Sequence, residues 1–275
     1  LKGMFAFALW DNKKKELFLG RDRFGMKPLY FYRDEDRFIF SSTTKSIKNN
    51  SKIKTSINEN SLHKYFLYGY IPSPTTIWKK IFILPEAHYA VIKKGEMSIK
   101  NYWKVKISNK KISKDKILAE IDEKINLSIE QHIRSDVPVG LFYSGGMDSF
   151  LIKEKFKKFS QKKIIFFIAK FKNKKNKSKF KKNITNKIVF ERLSDYVDSL
   201  DQPIADSAGI SSFLLSEAAK KKKIKVILSG AGADEIFGGY RRYYYDMKSH
   251  FQFDFLLKKK VGILLKIINK KSLII

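Results

Sequence analysis

Val137-Pro138-Val139-Gly140-Leu141-Phe142-Tyr143-Ser144-Gly145-Gly146-Met147-Asp148-Ser149 is an apolar run that breaks into a Ser-Gly-Gly turn. The run reads as a buried strand, and Phe150-Leu151-Ile152-Lys153-Glu154-Lys155-Phe156 after it reads as a helix. Strand, glycine turn and helix N-terminus together build a phosphate cradle. The glycines let the main chain approach an anion, and unpaired N–H groups point at it. Ser144 and Ser149 add hydroxyls, and Asp148 adds a carboxylate suited to Mg²⁺ beside the phosphates. The spacing is not that of the Walker loop, which ends in Gly-Lys-Ser/Thr. A plain turn is the alternative at this point, since Ser-Gly-Gly is a common loop and Asp-Ser a common helix start.

Working outward, Ile224-Lys225-Val226-Ile227-Leu228 is a second buried strand that also ends in a glycine turn, Ser229-Gly230-Ala231-Gly232-Ala233-Asp234. Asp234 is a candidate second Mg²⁺ ligand opposite Asp148. Ile164-Ile165-Phe166-Phe167-Ile168-Ala169 is a continuous apolar run fit for a strand covered on both faces. Phe213 to Lys222 reads as a helix, and Ile117, Leu118, Ile121, Ile125 and Ile129 share one face of another. Strand alternating with helix predicts a doubly wound parallel sheet, with ligands at the carboxyl ends of its strands.

Residues 1–105 have a different texture. Met4 to Trp10, a turn at Asp11-Asn12-Lys13-Lys14, and Glu16 to Gly20 read as a hairpin. Pro28 to Tyr32 and Arg37 to Ser42 read as a second, around Asp34-Glu35-Asp36. A short helix over 62–67, a Pro-rich loop at 71–74, and strands at 87–92 and 99–103 follow. Consecutive hairpins predict an antiparallel sheet. The polar, lysine-rich stretch 104–116 reads as a linker.

The composition sets bounds. The 275 residues suffice for two domains, and 43% hydrophobic residues suffice for a core. Cysteine is absent, which excludes disulfides, thiolate metal sites and a cysteine nucleophile within these residues. No apolar run is long enough for a membrane helix and no secretory signal opens the chain, so a soluble cytoplasmic protein is expected. The chain opens at Leu1 inside a strand-like run, which points to a fragment whose start lies upstream. The formal charge of +30 invites a nucleic-acid reading, but Lys outnumbers Arg 49 to 8 and is spread evenly. A solvated lysine surface is therefore expected, with no nucleic-acid partner. His63, His88, His132 and His250 show no metal spacing. Arg241-Arg242 could reach a phosphate or simply start a solvated helix, and Tyr243-Tyr244-Tyr245 reads as core or interface.

Five separated stretches together resemble the glutamine-dependent asparagine synthetase family. They are Gly3 to Asp11, Gly20-Arg21-Asp22-Arg23-Phe24-Gly25-Met26-Lys27-Pro28-Leu29-Tyr30, Arg134 to Ser149, Asp201-Gln202-Pro203-Ile204-Ala205-Asp206-Ser207, and Ser229 to Tyr240. The resemblance implies that residues 1–105 are the C-terminal part of an N-terminal-nucleophile glutaminase domain, built of antiparallel β. It implies that residues 112–275 are a C-terminally truncated, doubly wound α/β ATP-pyrophosphatase domain. The implied activity is amidation of aspartate to asparagine through an acyl-adenylate, with ATP and Mg²⁺ as cofactors and nitrogen from glutamine or ammonia. By position, the resemblance makes Asp148 and Ser149 catalytic. It gives Phe142, Ser144, Gly145, Gly146, Ala169, Ser229 and Gly230 to ATP, and Asp148 and Asp234 to the metal. The expected partners are these small molecules, with no membrane, and a homodimer is left open.

Three departures accompany the resemblance. The family's glutaminase uses an N-terminal cysteine, and none is present, so these residues alone are not expected to hydrolyse glutamine. Ala231 stands where well-studied members carry an acidic residue, which keeps open a related amidotransferase acting on a sugar-acid or peptide carboxylate. The span from Phe171 to Asp201 is short and filled by Lys172 to Lys179, so the loss of an α/β unit, or an inactive nucleotide-binding remnant, is also kept open.

Overall fold

The structure, a computed structural model, describes residues 1–107, 111–159, 164–171 and 181–246, with only the backbone described at 170–171 and 181–183. It is a mixed α/β chain with antiparallel sheets and a parallel sheet. Two compact units divide the described residues: those within 1–117 and 183–216, with Phe171, form the first, and those within 118–170, 181–182 and 217–246 the second.

In the first unit, β1 (Ala6–Asp11) and β2 (Glu16–Arg21) form the expected hairpin. Asp11 Oδ1 closes its turn by accepting from the Lys13 and Lys14 amides at 2.9 and 3.0 Å, as a short carboxylate does in an Asx turn. The sheet continues through β6 (His88–Lys93) to β7 (Glu96–Asn101), in the order β1-β2-β6-β7. The second hairpin does not extend this sheet. Strands β3 (Tyr30–Arg33) and β4 (Phe38–Ser41) join β5 (Ile81–Ile83) in a separate sheet ordered β4-β3-β5. Leu19 and Ala90 from the first sheet cluster with Leu29, Phe31 and Leu84, all buried. Burial of each Leu or Phe there stabilises the unit by about 1.5–3 kcal/mol. The helices α1 (Thr44–Lys48) and α2 (Glu59–Tyr68) are capped by Thr43 and Asn58, whose side chains accept from the amides of Ser46 and Ser61.

The stretch Gly20 to Tyr30 is a structural knot. Asp22, 1% exposed, accepts from the amides of Phe5, Phe24, Met26 and Lys27 at 2.9–3.3 Å. Arg21, also buried, donates to the carbonyls of Lys27, Leu84 and Gly25. Gly25 has φ +62°, and a Cβ there would stand 2.8 Å from Arg21 Nη2, so both conformation and space call for glycine.

The first unit also contains α5 (Asn186–Ser199), with Thr185 as N-cap. It follows β10 (Lys181–Ile184). A strand and a helix are thus present between Phe171 and Asp201, where the loss of an α/β unit was left open. The lysine-rich stretch 172–180 lies outside the described residues. The helix α6 (Ala208–Lys221) starts before the stretch assigned from Phe213, because Asp206 Oδ1 accepts from the Ala208 amide at 2.8 Å and caps it there.

The second unit is entered through α3 (Lys114–His132), which begins inside the stretch assigned as linker. Then come β8 (Val139–Phe142), α4 (Met147–Phe159), β9 (Ile165–Phe171), β11 (Val226–Leu228) and α7 (Ala233–Phe237). The sheet order is β10-β9-β8-β11, and β8 runs parallel to both β9 and β11. Val139 and Leu141 on β8 pack with Phe156 on α4 and with Ile164. Gly140 sits mid-strand because its neighbours cross it: a Cβ there would stand 2.7 Å from Ile227 Cδ1 and 2.9 Å from Phe167 Cε2. Lys155 on α4 is ion-paired to Asp122 on α3, fixing the helix that follows the Ser-Gly-Gly turn.

Candidate functional site

Strand β8 ends at Phe142, and the Tyr143 amide still donates to the Phe167 carbonyl at 3.0 Å. The chain then turns through Ser144-Gly145-Gly146, where Gly145 has φ +82°. Helix α4 begins at Met147, not at Phe150, so Asp148 and Ser149 lie in its first turn. Amides of a first helical turn have no partner inside the helix, so this end favours an anion.

The two serine hydroxyls hold the turn together. Ser149, 3% exposed, donates through Oγ to the Gly146 carbonyl at 3.0 Å and lies 3.2 Å from Ser144 Oγ. Ser144 Oγ accepts from the Gly146 amide at 3.2 Å. What the turn offers outward is its glycine backbone and the half-buried Asp148 carboxylate.

The turn after β11 meets this one. A Cβ built on Gly230 would stand 2.9 Å from Asp148 Cβ and 3.5 Å from the Ser149 nitrogen. Ser229 Oγ accepts from the Ala231 amide at 3.4 Å, and Gly232, at φ +95°, leads into α7. Asp234 is half-buried in the first turn of α7. Its Oδ1 lies 1.8 Å from where a Cβ on Gly239 would be, so the bare Gly239 backbone gives that carboxylate its room. Glu235 accepts from Tyr240 Oη at 2.9 Å, and this bond holds the Glu235 carboxyl below its usual range.

Ser144, Gly145, Gly146, Asp148, Ser149 and Gly230 are thus gathered at neighbouring strand ends, with Ser229 beside Gly230. Phe142 pairs with Phe167 across β8 and β9, and Ala169 lies two residues further along β9, both half-buried. Asp148 and Asp234 each belong to one of the two turns. Among the described residues no three His, Cys, Asp or Glu side chains cluster as a metal cage. Asp148 and Asp234 are the carboxylates of these two turns that could hold Mg²⁺, an ion that keeps several waters and needs only one or two protein carboxylates. Arg242 has its guanidinium over the rings of Tyr240 and Tyr243, 4.6 and 5.4 Å from their centroids.

The role of Gly239 escaped sequence reasoning. The Gly238-Gly239 pair was a signal in plain view, but only the folded turn shows which carboxylate it admits.

Comparison with known proteins identifies the family. Residues 1–103 match the glutamine amidotransferase domain. The chain is 32% identical over 287 residues to a Methanocaldococcus jannaschii protein provisionally named glutamine-hydrolysing asparagine synthetase 2, covering 98% of this chain and 54% of that one. It is 32% identical over 257 residues to asparagine synthetase 1 of Bacillus subtilis, covering 88% of this chain and 40% of that one. Asparagine synthetase 3 of the same bacterium is 31% identical over 269 residues, with shares of 87% and 44%. The chain thus spans about half the length, or less, of these relatives. Among the described residues no helix is long and apolar enough to cross a membrane. Residues 120–272, more than half of the chain, match asparagine synthase, and the chain belongs to that family.

Proposed function

We propose that the chain carries the ATP-dependent amide-forming part of a glutamine-hydrolysing asparagine synthetase. The observation that carries this reading is the meeting of two glycine turns at the carboxyl ends of adjacent parallel strands, with Gly230 packed on Asp148. Such strand ends are where parallel α/β sheets bind ligands. Family membership supports ATP as the substrate. We read residues 112–275 as a C-terminally truncated, doubly wound ATP-pyrophosphatase domain and residues 1–105 as the later part of an N-terminal-nucleophile glutaminase.

The aspartate side-chain carboxylate attacks the α-phosphorus of ATP. A new P–O bond forms, the bond to pyrophosphate breaks, and an acyl-adenylate results. Ammonia then adds to the acyl carbon, AMP leaves with the C–O electrons, and a proton is lost from nitrogen. In this scheme the Gly145-Gly146 backbone and the first amides of α4 hold the departing pyrophosphate. Ser144 and Ser149 keep that backbone in shape, Phe142 and Ala169 border the adenine, and Ser229 and Gly230 border the phosphates. Asp148 and Asp234 would hold Mg²⁺, which when bound neutralises phosphate charge. With no cysteine in residues 1–275, this chain by itself is expected to draw on free ammonia.

The test is product identity. With ATP, Mg²⁺, aspartate and ammonium, the chain is expected to form AMP, pyrophosphate and asparagine in equal amounts. ADP and phosphate in their place would overturn the reading.

A further inference from the structure

Residues 201–205 lie in the stretch that matches asparagine synthase, yet their polar groups bond to the stretch that matches the amidotransferase domain. Asp201 Oδ1 accepts from the Thr44 amide at 2.7 Å and from the Thr44 hydroxyl at 3.0 Å. The same hydroxyl approaches the Asp201 carbonyl at 3.1 Å. Gln202 Oε1 accepts from the Ile77 amide at 2.8 Å, and its Nε2 donates to the Asp201 carbonyl at 2.7 Å. The Ala205 amide donates to the Gly69 carbonyl at 2.8 Å. All of these residues belong to the first compact unit.

The bonds fall where the amidotransferase stretch leaves main-chain groups without partners of its own. Thr44 opens α1, so its amide has no acceptor inside that helix. Gly69 caps the far end of α2 in the left-handed conformation, where helix carbonyls run out of donors. Thr44 is 1% exposed, so water does not replace Asp201 there. Asp206, next in the chain, caps α6, so the whole motif is tied down at both ends.

We propose that residues 201–205 are a strap by which the synthase part of the chain grips the amidotransferase part, with Asp201 and Gln202 as its positioning residues. Its docking surface is Thr44, Gly69 and Ile77. The strap holds as one unit, because the Gln202 side chain bonds both Ile77 and the Asp201 carbonyl that faces Thr44.

Amide hydrogen exchange on the whole chain tests this. Asp201→Ala is expected to speed exchange about tenfold or more at Thr44, and also at Ile77 and Ala205, whose own acceptors are untouched. Asp201→Asn keeps an acceptor oxygen and is expected to stay within about threefold of the parent at all three amides. Faster exchange at Thr44 alone would overturn the proposal. If Asp201→Ala does not fold, Gln202→Ala takes its place: faster exchange at Thr44 as well as Ile77 supports the strap, and a change confined to Ile77 overturns it.

Discussion

Gly230 approaches Asp148 so closely that a methyl group added at Gly230 would stand 2.9 Å from Asp148 Cβ. The contact joins the turn after β11 to the first turn of α4, and it exists because β8 and β11 are neighbours in the parallel sheet. It places a carboxylate-bearing helix start and a second glycine turn around one small space.

Gly230→Ala should push that pair apart. Overpacking of this kind costs about 1–3 kcal/mol of stability. A shift on the order of 1 Å at a reacting group slows chemistry by roughly 10²-fold. Thermal unfolding and ammonia-dependent pyrophosphate release, measured together, should show a small loss in the first and a large one in the second. Equal, modest losses in both would show that the contact is packing only.

Gly239→Ala addresses Asp234. Its new Cβ would fall 1.8 Å from Asp234 Oδ1, so the carboxylate must move. A Mg²⁺ titration of ATP consumption should shift to higher metal, by roughly tenfold or about 1.4 kcal/mol. Gly238→Ala is the control: at φ +68° it strains the backbone by about 1–2 kcal/mol, and its Cβ meets nothing within 4 Å. An unchanged titration for Gly239→Ala would contradict the proposal that Asp234 holds Mg²⁺.

Asp22 gives a pH signature. Burial alone would raise its carboxyl pKa, but the amides of Lys27, Met26, Phe24 and Phe5 outweigh burial and lower it. A carboxylate with a lowered folded-state pKa stabilises above the unfolded value, near 3.9, and loses that contribution as pH falls through the folded value. Asp22→Asn turns an accepting oxygen into an amino group facing N–H donors and should cost about 1.5–3 kcal/mol at neutral pH. The melting temperatures of parent and variant should converge as the pH drops below about 4. A gap that stays constant into acid would show that the carboxylate is not the origin of the effect.

Much of the fold was legible because the local signals were strong. Asp11 announced its turn, the 164–169 run announced a buried strand, and Ile117 to Ile129 announced a helix face. What escaped lacked a period to read. Helix α1 has five residues and β5 has three, both too short to show one. Helix α5 lies just beyond a lysine-rich stretch, although Thr185 was a usable N-cap signal. The site was legible as two glycine turns at strand ends with Asp234 expected opposite Asp148, but the contact of Gly230 with Asp148 was not. How closely two chain segments approach is a tertiary fact that no local pattern carries. The Thr44–Asp201 pair, separated by 157 positions, was hidden for the same reason.

The most direct test of an ATP site built on the Ser144–Ser149 turn is pyrophosphate release by Asp148→Ala against its parent, at saturating ATP, Mg²⁺, aspartate and ammonium. Removing the turn's carboxylate should cut the rate by about 10²-fold or more while the melting temperature stays close to the parent's. An Asp148→Ala protein that releases pyrophosphate as fast as its parent would contradict the assignment.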